Sequence, residues 1–250
     1  MVKHKLYFYL VGLILVMFTG SLYSTPIYEK LYSNILAKNT KIETQDRMKS
    51  TLVDYSSLKS SQTFKTVIRF ISKFDYTVFR TKQEQISFWI NVHNIAAMSY
   101  ISQEFPIDTT SDLNTKSSTY KDLKIISVFN EMYSLNDIKK ILFLYNDERI
   151  LFTLADGDLS SPQLHQKPYT SEAIESQLNN ASFDFINERF RGVDIKQETK
   201  YLYVSVLFKN HPEIFESDEK IKRFISPNFK EDLSYYKVFY LRNNKSLNAF

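Results

Sequence analysis

The sequence predicts a helix-dominated α+β single domain, with a small, mainly antiparallel sheet around a buried central helix, and three observations lead there. The first is the stretch from Glu84 to Ile101, which holds the chain's one tryptophan and is apolar on nearly every side. A helix that is greasy all round belongs in a core. The second is the scarcity of breakers: 4 glycines and 6 prolines in 250 residues are too few for a β-sandwich or a Gly-rich nucleotide fold. The third is helical spacing of apolar residues in several segments, set against only a few short β-branched runs.

Composition narrows the function classes. A hydrophobic share of 43% with 15% aromatics excludes a wholly disordered chain. The net charge is +4, and Lys3 and Lys5 supply two of those charges, so no nucleic-acid partner is expected. Cysteine is absent, which rules out disulfides, thiolate metal sites, a cysteine nucleophile and an acylated cysteine.

In chain order, Lys3-His4-Lys5 forms a basic head before an uncharged run from Leu6 to Tyr23. That is the layout of a signal peptide or an N-terminal membrane anchor over residues 1–24, and as a helix the run would reach about 27 Å. Both readings, cleaved and retained, send residues 25–250 out of the cytoplasm, periplasmic or secreted, and any membrane contact is through residues 6–23. Ile27, Leu31 and Ile35 then mark a short amphipathic helix, and Lys38 to Ser50 reads as a polar connection or weak helix. Phe64, Val67, Ile68, Ile71 and Phe74 form one helical face.

Thr81-Lys82-Gln83-Glu84 has the form of a capping box, fixing the start of the central helix and giving Glu84 a structural role. Pro106 ends that helix, and a polar surface loop runs from Ile107 to Lys121. Leu123 to Phe129 is strand-like, Asn130-Glu131 a turn, and Ser134 caps a helix facing inward through Leu135, Ile138, Ile141 and Leu142. Ile150 to Ala155 reads as a buried strand that empties into the loop Asp156-Gly157-Asp158-Leu159-Ser160-Ser161-Pro162. A long helix opens at Thr170 or Ser171 and stops at Gly192, a hairpin joins Val193–Ile195 to Tyr201–Val204, and Val238 to Leu241 is the last strand.

The candidate chemistry centres on the helix and the acidic loop. Asn91 and Asn94 lie one turn apart on the apolar helix, and a buried amide left unpaired costs roughly 1–3 kcal/mol. They therefore either clamp a neighbouring backbone or floor a polar site. His93 reads first as a packed core residue, Arg149 as an internal salt-bridge partner or a carboxylate binder, and Asp156 with Asp158 as a turn or a carboxylate pair. Ser160 or Ser161 with His165 and Asp158 is an arithmetically possible triad within one loop. No metal is expected, because no His-x-x-x-His spacing exists, and no cofactor is expected either.

Phe88-Trp89-Ile90-Asn91-Val92-His93-Asn94, supported by Val53-Asp54-Tyr55, Ser134-Leu135-Asn136-Asp137-Ile138, Arg149-Ile150-Leu151-Phe152, Ser161-Pro162, Ser205 and Ser246-Leu247-Asn248, resembles the bacterial domain-of-unknown-function family 547. The resemblance implies one family-like domain over residues 25–250. It also implies that Asp156 and Ser161 stand where members carry cysteines, Lys139-Lys140 where they carry Glu-His, Leu151 where they carry a histidine, and His93 where they carry a tyrosine. The expectation is an exported, non-catalytic binding or scaffold domain of the cell envelope, holding a peptide, envelope component or partner protein near Asn91, His93, Asn94, Arg149 and Asp156. The alternative is a hydrolase using Asp156 or Ser161 with a histidine in place of the cysteine.

Overall fold

The computed structural model describes residues 27–250. The proposed export segment, Leu6 to Tyr23 with its basic head, lies outside the described residues. Among the described residues, no helix is long and apolar enough to cross a membrane.

Helix α1 (Ile27–Asn39) buries Tyr28, Tyr32, Ile35 and Leu36 along one face, as its spacing requires. It ends where Asn39 and Thr40 turn their side chains back to the carbonyls of Ile35 and Leu36. The chain then forms an antiparallel hairpin of β1 (Thr40–Gln45) and β2 (Met48–Val53). This corrects the expectation of a polar connection or weak helix over Lys38 to Ser50. The hairpin is hidden in the sequence because β1 carries one apolar residue, Ile42, and because Asp46 and Arg47 take the left-handed turn positions (φ 49° and 67°) usually given to Asn-Gly.

Two short helices follow, α2 (Tyr55–Ser60) capped by Asp54 and α3 (Gln62–Ser72) capped by Ser61. Helix α3 buries Phe64, Val67 and Ile71 on the expected face. Helix α4 (Lys82–Glu104) is the axis of the molecule. Its capping box is formed as the sequence requires: Thr81 accepts from the Glu84 amide and the Glu84 carboxylate accepts from the Thr81 amide. From Ile86 to Ser99 every residue of α4 is buried, so the helix is packed on all sides.

The polar stretch after α4 has only single 3-10 turns, at Thr110–Leu113 and Tyr120–Asp122. Strands β3 (Ile126–Val128) and β4 (Glu131–Tyr133) pair antiparallel around Phe129 and Asn130, both left-handed, one residue earlier than the expected turn. Helix α5 (Leu135–Phe143) starts with a second capping box, Ser134 with Asp137. The expected strand at Ile150 to Ala155 is instead a 3-10 helix over Glu148–Thr153. Asp147 caps it, and it lies between two cores, with Ile150 facing one and Leu151 and Phe152 the other. An apolar run buried on both sides reads like a buried strand, and periodicity cannot separate the two.

Helix α6 (Ile174–Asn187) begins a turn later than expected. Beyond it, β5 (Val193–Lys196) and β6 (Tyr201–Val204) form the expected hairpin, and after the short helices α7 (Val206–Asn210) and α8 (Asp218–Ile225), β7 (Lys237–Tyr240) joins β6 in parallel. The fold is thus helix-dominated with three small, mainly antiparallel sheets. The larger core surrounds α4, and the second fills the space behind β5, β6 and β7. The C-terminal strand of chain ties them: Leu247 bridges Asp158, Ser246 bridges Thr109 and Ala249 bridges Val53.

Candidate functional site

The two asparagines of α4 are clamps. Asn91 donates to the Tyr169 carbonyl at 2.7 Å and accepts from the Tyr169 amide at 2.9 Å. Asn94 donates to the Thr153 carbonyl and accepts from the Ala155 amide, both at 3.0 Å. Each amide replaces one pair of backbone bonds, as a neighbouring strand would. Two non-helical segments are thereby fastened to the helix, and the second of them delivers Asp156.

Asp156 is 2% exposed and meets three basic side chains. Lys139 of α5 donates to both of its oxygens at 3.0 and 3.1 Å, Lys121 of the polar loop donates to Oδ2, and His93 Nε2 lies 3.6 Å from Oδ1. Burial opposes the charge on Asp156, but the two ammonium groups outweigh it and hold the carboxyl below its usual range. Burial also opposes the charge on Lys121, which Asp156 more than restores, whereas Lys139 is left below its ordinary value, by burial first. His93 is pushed down to about 3 by burial and then by Lys139, so it is neutral at physiological pH. Its Nδ1 faces Asn94 Oδ1 at 3.2 Å, so Nδ1 carries the proton, and Nε2 is a buried acceptor without a partner.

Gly157 permits the turn after Asp156. Its φ of 89° favours glycine, and a Cβ there would stand 2.2 Å from Ile101 Cδ1. Asp158 turns away from Asp156: its carboxylate accepts from the Ser161 amide at 2.7 Å and from the Thr110 hydroxyl at 3.3 Å. The two carboxylates share no hydrogen-bond donor, though burial and then the nearby Asp156 charge push the Asp158 carboxyl up, and among the described residues no His, Cys, Asp and Glu group is placed to hold a metal ion. The serine triad is not formed either. Ser161 Oγ donates to the Asp158 carbonyl, Ser160 Oγ accepts from the Asn244 amide, and His165 turns outward to the Lys167 carbonyl.

The structure thus brings His93, Asn94 and Asp156 together and places the other two expected site residues elsewhere. Asn91 serves Tyr169. Arg149 pairs with Asp147 at 2.6 Å and Glu175 at 2.9 Å, the internal salt bridge, rather than with Asp156. Beneath the acidic turn, between Asn94, Ala155 and Tyr55, the free volume is about 10 Å³, room for no more than a single water. A ligand held among the asparagines has no space.

Sequence reasoning missed Lys121 and Lys139 as partners of Asp156. Lys139 had a signal, since it lies one turn after Leu135 and beside Ile138 on a face that is otherwise apolar. Lys121 had none. Lys139 also lines an open cleft of about 900 Å³ on its outer side, floored by Phe143 and Ile214, with the exposed Leu144 on its edge beside Lys140, Glu148 and Lys220. His211, paired with Glu213 at 2.8 Å and set edge-on to Phe143, forms part of its wall.

Together these features define an α+β domain organised by a polar-centred helix, with a sealed carboxylate–lysine cluster behind a surface cleft. The family model described as "Protein of unknown function, DUF547" matches residues 77–186. The matched segment holds α4, the Asp156 cluster and nearly all of α6. This match is narrower than the reach from Val53 to Asn248 suggested by the short motifs. No curated protein and no solved structure matches the chain.

Proposed function

We propose that this is an exported, non-catalytic binding domain of the cell envelope, and that the cleft outside Lys139 holds a peptide segment of a partner. The observation that carries this reading is the contrast at Lys139 between its two sides. Inward, Asp156 is closed from solvent and paired with two ammonium groups; outward, a cleft of about 900 Å³ combines an apolar floor with rim charges of both signs. A volume of that order suits a ligand, and a mixed rim suits a chain with apolar and charged side chains.

The sealed cluster speaks against turnover. A nucleophilic carboxylate needs a path for substrate, and Asp156 is closed from solvent with both oxygens engaged by ammonium groups. The hydrolase reading rests on the nearness of His93 to Asp156, yet at 3.6 Å, with Nε2 unpartnered, the two lie outside hydrogen-bond reach. Tethering to the inner membrane by residues 6–23, or release after their removal, both fit a binding role outside the cytoplasm.

Selection of a displayed random peptide library against residues 25–250 tests the proposal. Peptides should be enriched whose binding is lost in Leu144→Asp and Ile214→Asp. No enrichment, or enrichment indifferent to both variants, refutes the cleft as the site. Cleavage of selected peptides that disappears in Asp156→Ala refutes the non-catalytic reading.

A further inference from the structure

The outer face of the three-stranded sheet lies apart from the cleft, and its residues follow from strand alternation. In β6, Leu202 and Val204 are buried, so Tyr201 and Tyr203 point outward. Register sets Asp194 of β5 beside Tyr203 and Lys196 beside Tyr201, and places Phe239 of β7 on the other flank of Tyr203. Phe239 packs against both tyrosines, at ring separations of 4.9 Å to Tyr201 and 5.4 Å to Tyr203, the latter stacked. Phe239 therefore fixes the tyrosine rings from the side and covers one face of Tyr203, and Tyr201 is still 39% exposed. Beside them, the Asp194 carboxylate is held by Arg189 at 2.9 Å and by Lys196 at 2.8 Å. The groove that Tyr201, Tyr203, Arg189, Asp194 and Lys196 line, with Phe239 outside it, has a volume of about 900 Å³.

We infer that this groove binds a neutral glycan chain. Aromatic faces fixed on a sheet offer the flat apolar surface against which the C–H face of a sugar ring packs. A network of carboxylate, guanidinium and ammonium in ion-paired geometry offers donors and acceptors at once, which is what hydroxyl groups need. The charge balance selects among the ligands that stack on aromatic rings. Arg189 and Lys196 face Asp194, Glu198 and Glu231 along the groove, and Lys237 stands beside Tyr201 over the Phe239 ring, three cations against three carboxylates, so the surface has no net charge to attract a phosphate-bearing strand. A polyol needs no such attraction.

The test is saturation-transfer NMR and calorimetry of residues 25–250 with chitotetraose, cellotetraose and maltotetraose, beside a deoxythymidine decamer. At least one tetrasaccharide should bind, with affinity reduced tenfold or more in Tyr203→Ala and in Tyr201→Ala and unchanged in the cleft variant Leu144→Asp. Tyr201→Ala carries the test should Tyr203→Ala lose its circular dichroism, because the exposed ring of Tyr201 contributes less to the core. Binding to none of the three sugars overturns the inference. So does binding that both tyrosine variants retain, and so does preference for the decamer that is lost in Lys196→Glu.

Discussion

Two sides of one helix treat buried polarity in opposite ways. Asn91 and Asn94 spend both ends of their amides on backbone groups, whereas His93, beside them on the same turn, leaves Nε2 without a partner 3.6 Å from a carboxylate that two lysines already neutralise. The first arrangement is a fastening that any ligand would have to break. The second is a charged cluster whose balance depends on protonation, and it adjoins the cleft through Lys139. Buried amides on an apolar helix therefore mark where the chain is tied down, and the cleft lies one layer further out.

The difference can be broken most severely at Asp156. Asp156→Ala leaves Lys139 and Lys121 without their anion, and removing one partner of a buried pair costs about 3–5 kcal/mol, read as a fall in urea midpoint. Asn94→Ala comes next, since it unpairs the Thr153 carbonyl and the Ala155 amide and should cost about 2–3 kcal/mol. A smaller loss than that of Lys121→Met would show that the amide is no fastening.

His93 sharpens the comparison through pH. Its folded value of about 3 lies below its unfolded value near 6.5, so the unfolded chain takes up the proton first and stability falls as pH drops from 6.5 towards 3. The slope is about 1 kcal/mol per pH unit. Glu29, pushed up to about 7 by burial, acts in the opposite sense between 4.5 and 7, because its folded form binds the proton more readily. The readout is therefore the difference between wild type and His93→Gln, whose stability should fall less steeply on acidification. Lys121→Met should have the smallest effect, less than about 1 kcal/mol, because the Lys121 side chain is 31% exposed and Lys139 still pairs Asp156.

Much of the fold was legible. The central helix, its capping box, the α3 face, the second cap at Ser134 and the β5–β6 hairpin follow from spacing and capping chemistry that act locally. The first hairpin was not legible, because β1 offers a single apolar residue, Ile42, in its alternation of β-branched and polar residues, and the turn of Asp46 and Arg47 has no Gly. The 3-10 helix at Glu148–Thr153 was not legible because two cores bury both of its sides. At the site, the meeting of the helix and the acidic turn followed from the cost of unpaired amides in an apolar helix. Its lysines did not, since the partner of a buried carboxylate is set by tertiary packing: Lys121 comes from a polar loop whose sequence holds no period. Arg191 is a second instance, buried at 2% and spent on the Leu159 carbonyl and Ser50, with nothing nearby in sequence to announce it.

The sharpest test of the sealed-cluster account is a paired measurement on Asp156→Asn: urea midpoint, and hydrolysis of cleft-selected peptides. The account expects a lowered midpoint and no hydrolysis by either protein. An unchanged midpoint together with a hydrolytic activity present in the wild type and absent from the variant would make Asp156 a reacting group, and would contradict it.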